Sequence, residues 1–358
     1  MTDLDQRITS ALRERAESNV DTDRLTAGAV TRGRSRVRRR RAVAGTALGV
    51  AALLGVGVAT GPIGLPFPGQ PATSTASAGG AVAPPPADGV PGAAARPDQI
   101  GADPAVLHFG VAPDGPRYLS WAVQDGVERV RVGVGGDRTV TVEIAGSAGR
   151  LLATSVDGLP MATSVDGLPM VVAAPERPGA FAGAVTHETV SGKSIWLRHW
   201  QPAPGVYARA SVTAENHQDL LDVAPALRLD RAYRCAAPVQ LTALPEGARV
   251  VGCEVTLANF PATFSASLVL ARGQADRMRV ELGYDNDSAG TRAKGNRTIG
   301  DRPAYLSPQG DQLELLGLPK AHLVASFGGS YRGFTEADAT KVLGGARVAE
   351  DLTRPETW

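Results

Sequence analysis

RYLSWAVQDGVERVRVGVGGDRTVTVEI, residues 117–144, alternates apolar and polar side chains in three short runs. Successive side chains of a strand point to opposite faces, so a period of two reads as a strand with one face on a core. Arg117–Val123, Val127–Val134 and Arg138–Ile144 are the predicted strands. Asp125-Gly126 and Gly135-Gly136 separate them and supply the positive φ that tight hairpins need. Strands joined this way run antiparallel to their neighbours. The fold class expected is therefore α+β, with a mostly antiparallel β-sheet body.

The same texture continues on both sides. Upstream, Val106–Val111 reads as a strand with Asp114-Gly115 as its positive-φ turn. Downstream, Ala184–Val190, Ser194–Trp200 and Gly205–Val212 read as strands, followed by a helical run Glu215–Leu227 that Pro225 ends or kinks. The second half replays this order. Thr298–Leu306, Gln312–Leu316 and Ala321–Phe327 are strands, and Thr335–Leu343 is a helix. Thr335 and Asp338 give it a capping-box start, and Gly344-Gly345 stops it. Two related modules, 100–230 and 231–358, are expected. Ala153–Met161 is repeated residue for residue as Ala162–Met170. Threading both copies through one strand would flip every later side chain, so one copy is expected to loop out.

Cys235 and Cys253 are the chain's two cysteines. Strand-like runs Ala236–Leu241 and Arg249–Leu257 flank Leu244-Pro245-Glu246-Gly247, and the midpoint of the cysteines falls at Leu244. A symmetric hairpin would bring the two together, so a structural disulfide is expected. The CxxC spacing of redox-active thiols is missing, and two thiolates without a neighbouring His or Cys make a poor zinc site.

At the other end, seven arginines, among them Arg36, Arg38, Arg39, Arg40 and Arg41, run into an uncharged stretch, Ala42–Thr60. As a helix, residues 42–61 would be about 30 Å long, the thickness of a bilayer's hydrocarbon core. Arginines collect on the cytoplasmic flank. Residues 1–41 are thus expected in the cytoplasm, 42–61 in membrane lipid, and 62–358 outside. A cleaved signal peptide is the rival reading, because twin arginines precede the apolar run. Against it, the region before that run is long, and the small-residue pattern Ala76-Ser77-Ala78 lies far beyond it. Residues 62–99, scattered with proline among Ala, Gly, Ser and Thr, read as an extended tether. In the tail, Leu4, Ile8 and Leu12 recur every four residues. This single stripe needs a cytoplasmic protein partner or the membrane surface; a frayed tail is the bland alternative.

Residues 1–41 hold eleven Arg and six acids, hence +5, and the chain total is +1, so the remainder carries −4. That balance gives the outer body no electrostatic reason to bind nucleic acid. No catalytic, cofactor or metal motif assembles in the sequence. The histidines His108, His187, His199, His217 and His322 are dispersed. Gly133-Val134-Gly135 begins a dinucleotide loop but meets Arg138 at the third glycine position. Ser330 has Arg332 where a nucleophile elbow needs glycine. Asp285-Asn286-Asp287 begins like a calcium loop but reaches Asn296 where the bidentate Glu belongs.

The order of amphipathic tail, arginine block, Ala/Gly-rich run, Pro-rich tether and β-rich body resembles uncharacterised single-pass membrane proteins of actinobacteria. Leu244-Pro245-Glu246-Gly247 after a strand is similar to the LP-x-G turn of extracytoplasmic regulators of anti-sigma factors. The strand–strand–helix endings at Trp200–Leu227 and Leu315–Leu343 resemble the lipoprotein-like modules of those regulators. The resemblance implies sensing or scaffolding at the envelope without catalysis. The tail departs from anti-sigma factors proper, since residues 1–41 contain no Cys or His for a zinc-type sigma-binding domain. The expected function is a membrane-anchored binding or sensor module with a peptide or lipid ligand. The alternatives are a passive envelope-structural protein and an enzyme of unrecognised type. A reporter active only in the cytoplasm, fused after Trp358, is expected to be silent; strong activity would reverse the topology.

Overall fold

Asp125 and Gly126 have φ of 53° and 78°, and Gly135 and Gly136 have φ of 111° and 56°. These are the left-handed residues of the two turns the sequence predicts, and each closes a hairpin. The computed structural model describes residues 82–153, 181–190, 193–287, 294–329 and 331–358. All of them fall in one compact unit, Thr75–Trp358.

The strands, numbered along the chain, begin with β1 (Pro86–Pro91), β2 (Val106–Leu107) and β3 (Gly110–Val111). The opening stretch forms β4 (Arg117–Gln124), β5 (Val127–Gly133) and β6 (Thr139–Ala145), and α1 (Ala148–Ala153) follows. β7 (Ala182–Val190), β8 (Lys193–Ala203) and β9 (Val206–Thr213) lead into α2 (Gln218–Val223). Three short strands come next: β10 (Leu227–Arg228), β11 (Arg231–Arg234) and β12 (Val239–Leu241). The long meander is β13 (Ala248–Asn259), β14 (Thr263–Arg272) and β15 (Asp276–Asp285). β16 (Arg297–Ile299), β17 (Arg302–Leu306), β18 (Gln312–Leu315) and β19 (Ala321–Ser326) precede α3 (Glu336–Gly344) and β20 (Ala346–Val348).

Thirteen of these strands form one antiparallel sheet in the order β16-β17-β18-β19-β15-β14-β13-β4-β5-β6-β9-β8-β7. The stretches 100–230 and 231–358 meet inside it, where β4 pairs with β13. Register carries one row across most of the sheet: Ala304, Leu315, Leu323, Leu282, Ala266, Val255, Trp121, Val130, Val142 and Ala210. Each is no more than 1% exposed. Fully burying a Val or Leu side chain contributes about 1.5–3 kcal/mol, and this row forms the floor of the main core.

The cover over this face is made of short pieces. α2 packs on β6, β8 and β9, and α3 on β16, β18 and β19. α3 starts as the sequence predicts: Asp338 N donates to Thr335 Oγ1 at 3.2 Å, and Thr335 N to Asp338 Oδ2 at 3.0 Å. It buries Ala339, Val342 and Leu343, one stripe at helical spacing. Three small sheets, β1-β11-β2, β10-β3 and β12-β20, complete the cover.

Several expectations change. Val106–Val111 is two short strands rather than one, because His108 breaks away to bind Glu128. Glu128 Oε2 accepts His108 N at 2.5 Å, while Oε1 lies 2.6 Å from His108 Nδ1 and accepts Gly101 N at 2.8 Å. Thr298–Leu306 is likewise two strands, turned at Gly300 with φ 62°. Gly115 turns back onto Ala112 O at 2.9 Å, but it is not among the positive-φ residues. The helical run after β9 is short, since Pro225 falls in a 3-10 turn, Ala224–Ala226. The last part of the tether 62–99 belongs to the body: β1 pairs with β11, and Ala93 is fully buried. Prolines at both ends of β1 suit an edge strand, which can forgo a ladder donor. The hairpin around Leu244 does not form between the expected partners. β12 pairs with β20, and β13 lies between β4 and β14. The turn itself survives, with Gly247 at φ 67° and Ala248 N donating to Pro245 O at 3.0 Å.

The sheet's other face mixes small apolar clusters, Ile195 with Leu197 and Val127 with Ala145 and Leu151, with buried charge. On β6 and β9 it buries Glu143 and Arg209, 2% and 1% exposed. Arg209 donates through Nε to Glu143 Oε2 at 2.7 Å and through Nη1 to Leu151 O at 2.8 Å, while Arg129 Nε reaches Glu143 Oε1 at 2.8 Å. His199 on β8 pairs in register with Arg209. Burial, and then the Arg209 cation, push His199 down to about 4. The unfolded chain binds this proton below about pH 6.5 and the folded chain does not until about pH 4. Stability is therefore expected to fall as pH drops through that window, and His199→Phe to flatten the fall. Urea midpoints measured at several pH values check this; an unchanged pH slope in the variant would refute it.

Candidate functional site

Past Arg234 the chain leaves β11 and passes through Cys235, Ala236, Ala237 and Pro238 before entering β12. This run forms one wall of a cleft of about 440 Å³. Ala87, Asp88 and Val90 come from β1, Ala105 and Val106 from the start of β2, and Leu268 from β14. Trp358 lines it too. The lining is apolar apart from Asp88, Arg234 and Gln240. An apolar cleft of this size with a few polar groups is the usual form of a ligand site. A carboxylate, a guanidinium and an amide can orient a ligand by charge and hydrogen bonds.

The disulfide sits in the wall. Cys235 and Cys253 are bonded, with Cα atoms 6.3 Å apart. Cys253 pairs with Leu268 in the large sheet, whereas Cys235 follows β11 in the cover. The bond therefore joins two layers rather than two arms of a hairpin.

A second cleft, about 340 Å³, is lined by Tyr284, Leu318, Ala321 and the segment Val348–Thr353. An aromatic ladder runs from one cleft to the other. Trp358 lies 5.0 Å from Phe264, and Phe264 stacks on Tyr284 at 5.1 Å, centroid to centroid. Trp358 is 8% exposed, and its indole Nε1 is buried without a hydrogen-bond partner.

Of the site residues singled out in the sequence, Cys235 lines this cleft and Cys253 is bonded to it from the sheet. Leu4, Ile8, Leu12, the arginines 36–41, the run 42–61 and both copies of the repeat beyond Ala153 lie outside the described residues. No helix among the described residues is long and apolar enough to cross a membrane. The histidines stay apart: His108 is on Glu128, His322 on Glu314 at 2.9 Å, and His187 and His217 both contact Trp196. No group of three or more metal-ligating side chains occurs among the described residues. Sequence reading missed Asp88 and Val90, which it assigned to the tether, and Trp358. The available signal was Trp358 itself, an aromatic three residues past Pro355 and six past Leu352 in the mostly polar run Asp351–Trp358.

No protein-family model matches the chain, and no curated protein does. Among solved structures it is similar to MucB in complex with MucA(peri), at 12% identity, covering 72% of this chain and 98% of that one, with a TM-score of 0.21. It is similar also to the Pseudomonas aeruginosa MucA/MucB complex, at 13% identity, 72% and 99% coverage, and a TM-score of 0.22. At these TM-scores the similarity settles neither fold nor function.

Replacing both cysteines, Cys235→Ser with Cys253→Ser, removes a link across a sequence separation of 18. Freed loop entropy in the unfolded chain makes the expected loss on the order of 3 kcal/mol. Denaturant midpoints of the oxidised and substituted chains measure it. Equal midpoints would mean that packing alone holds the cover on the sheet.

Proposed function

We propose that this chain is a membrane-anchored, extracytoplasmic binding module, and that the cleft beside Cys235 holds an apolar segment of its ligand. The observation that supports this most is the lining: small apolar residues and Trp358, with Asp88, Arg234 and Gln240 as its polar groups. That set recognises a ligand but offers no nucleophile and no general base of histidine type. The large buried ionisable groups elsewhere are tied to one another: Glu143 to Arg209 and Arg129, and Glu128 to His108. Breaking such a pair by removing one partner costs about 3–5 kcal/mol, which suits a structural role. In this reading residues 42–61 anchor the body in membrane lipid. Residues 1–31 offer the Leu4, Ile8 and Leu12 stripe to a cytoplasmic protein, which is how occupancy outside would be reported inside.

Fluorescein-labelled apolar hexapeptides titrated into the detergent-solubilised chain test the site by anisotropy. Ala237→Trp, which fills the cleft, is expected to weaken binding roughly tenfold, about 1.4 kcal/mol, without lowering thermal stability. Peptides that bind both forms equally well would place recognition elsewhere.

A further inference from the structure

Ala349 N donates to Pro238 O at 2.9 Å, the last hydrogen bond between the chain's final segment and the rest of the body among the described residues. From Glu350 onward the polar contacts are internal. Arg354 N donates to Asp351 O, Trp358 N to Pro355 O, Thr353 Oγ1 to Asp351 Oδ1, and Arg354 Nε to Glu356 Oε1. What holds the segment down is apolar. Pro355 is buried, Leu352 packs on the core, and Trp358 rests against Phe264 at 5.0 Å and Phe260 at 6.3 Å. The same segment lines both clefts, Trp358 the first and Glu350–Thr353 the second. Its indole Nε1 is buried unpaired, so a hydrogen bond is forgone in the seated position.

We propose that Glu350–Trp358 is a displaceable internal occupant of one longer trough floored by Leu268, Phe264 and Tyr284. Its competitor is an extended peptide bearing an aromatic side chain for the shelf made by Phe260 and Phe264. The class of competitor follows from two features. The trough already accepts a peptide, with apolar residues at Leu352, Pro355 and Trp358, three apart. In addition, Ala236 and Ala237 line the first cleft and make no backbone hydrogen bond among the described residues. Both are half-buried, and a main chain laid alongside could pair with their amide and carbonyl groups, which a lipid tail could not. Release of the segment breaks no hydrogen bond to the body beyond Ala349, and it joins the two clefts. The proposal rests on the cleft being a ligand site and adds how that site is kept closed.

The probe is a fluorescein-labelled synthetic peptide of residues 349–358, AEDLTRPETW, titrated into the full chain in detergent. The seated segment lowers the fraction of open trough, so Trp358→Ser is expected to bind the peptide about tenfold tighter than the unsubstituted chain does. The same peptide with serine in place of its tryptophan is expected not to bind. Equal affinity in the two chains overturns the proposal. Hydrogen exchange of the unsubstituted chain gives a second measurement that needs no variant. Excess peptide should speed exchange at residues 351–358 and leave β14 unchanged; unaltered exchange there overturns the proposal as well. The hexapeptide titration separates the two ideas. If hexapeptides respond to Ala237→Trp but the strap peptide fails these tests, the cleft remains a site without this closure.

Discussion

The pleat of a single wide sheet is the constraint on which the rest of the body depends. Alternation turns every second side chain of the large sheet toward one apolar face, and antiparallel register lines them up from Ala304 on β17 to Ala210 on β9. A surface that broad cannot be left to water. No long element is available to cover it: among the described residues α1 and α2 are six residues each and α3 nine. The cover is instead assembled from helical turns, three small sheets and the Cys235–Cys253 link. A mosaic of this kind has joints, and both clefts lie at joints between cover pieces rather than within the sheet.

The reverse face follows a different chemistry at its two wings. Toward β9 it is buried and charge-paired, with Glu143 shared between Arg209 and Arg129. Toward β15 it is half open. There Arg279 lies between Glu281 at 3.3 Å and Glu254 at 3.8 Å, all three partly solvated. Such exposed pairs add little to stability, whereas the buried cluster fixes side-chain positions through charge-assisted hydrogen bonds. Side-chain positions are therefore most tightly specified by charge where β6 and β9 meet, away from the clefts.

Much of this was legible in the sequence because strand periodicity and turn chemistry are local. Asp125-Gly126, Gly135-Gly136 and the Thr335–Asp338 cap needed only a few neighbouring residues to be read, and each appears where its residues require. The disulfide partners were legible as well, but the structure around them was not. Symmetry about Leu244 pointed to a hairpin with β12, whereas β13 pairs with the strand that follows it, β14, and with β4, remote in sequence, both rich in apolar residues on the matching face. The clefts were hidden for the same reason. The first has walls from residues near 88, 106, 236, 268 and 358, the second from residues near 284, 320 and 350, brought together by the fold and by no local pattern. Proline content concealed β1, because edge strands tolerate the residue that marks a tether.

The strand order carries one more consequence, for how the gene can change. β9 is fixed against β6, with Val142 opposite Ala210, while β7 and β8 are added outside it and β7 is the outermost strand. The chain between α1 and β7 thus connects a finished hairpin stack to a margin. Length gained there need not be transmitted into any pairing that the apolar row uses. The nine residues repeated within 153–170 fall in that interval. A nine-residue duplication inside a strand of the row would throw the pleat out of phase. None of the strands that carry the apolar row lies in that interval, so the strand order offers a position at which added length need not shift the register the core uses.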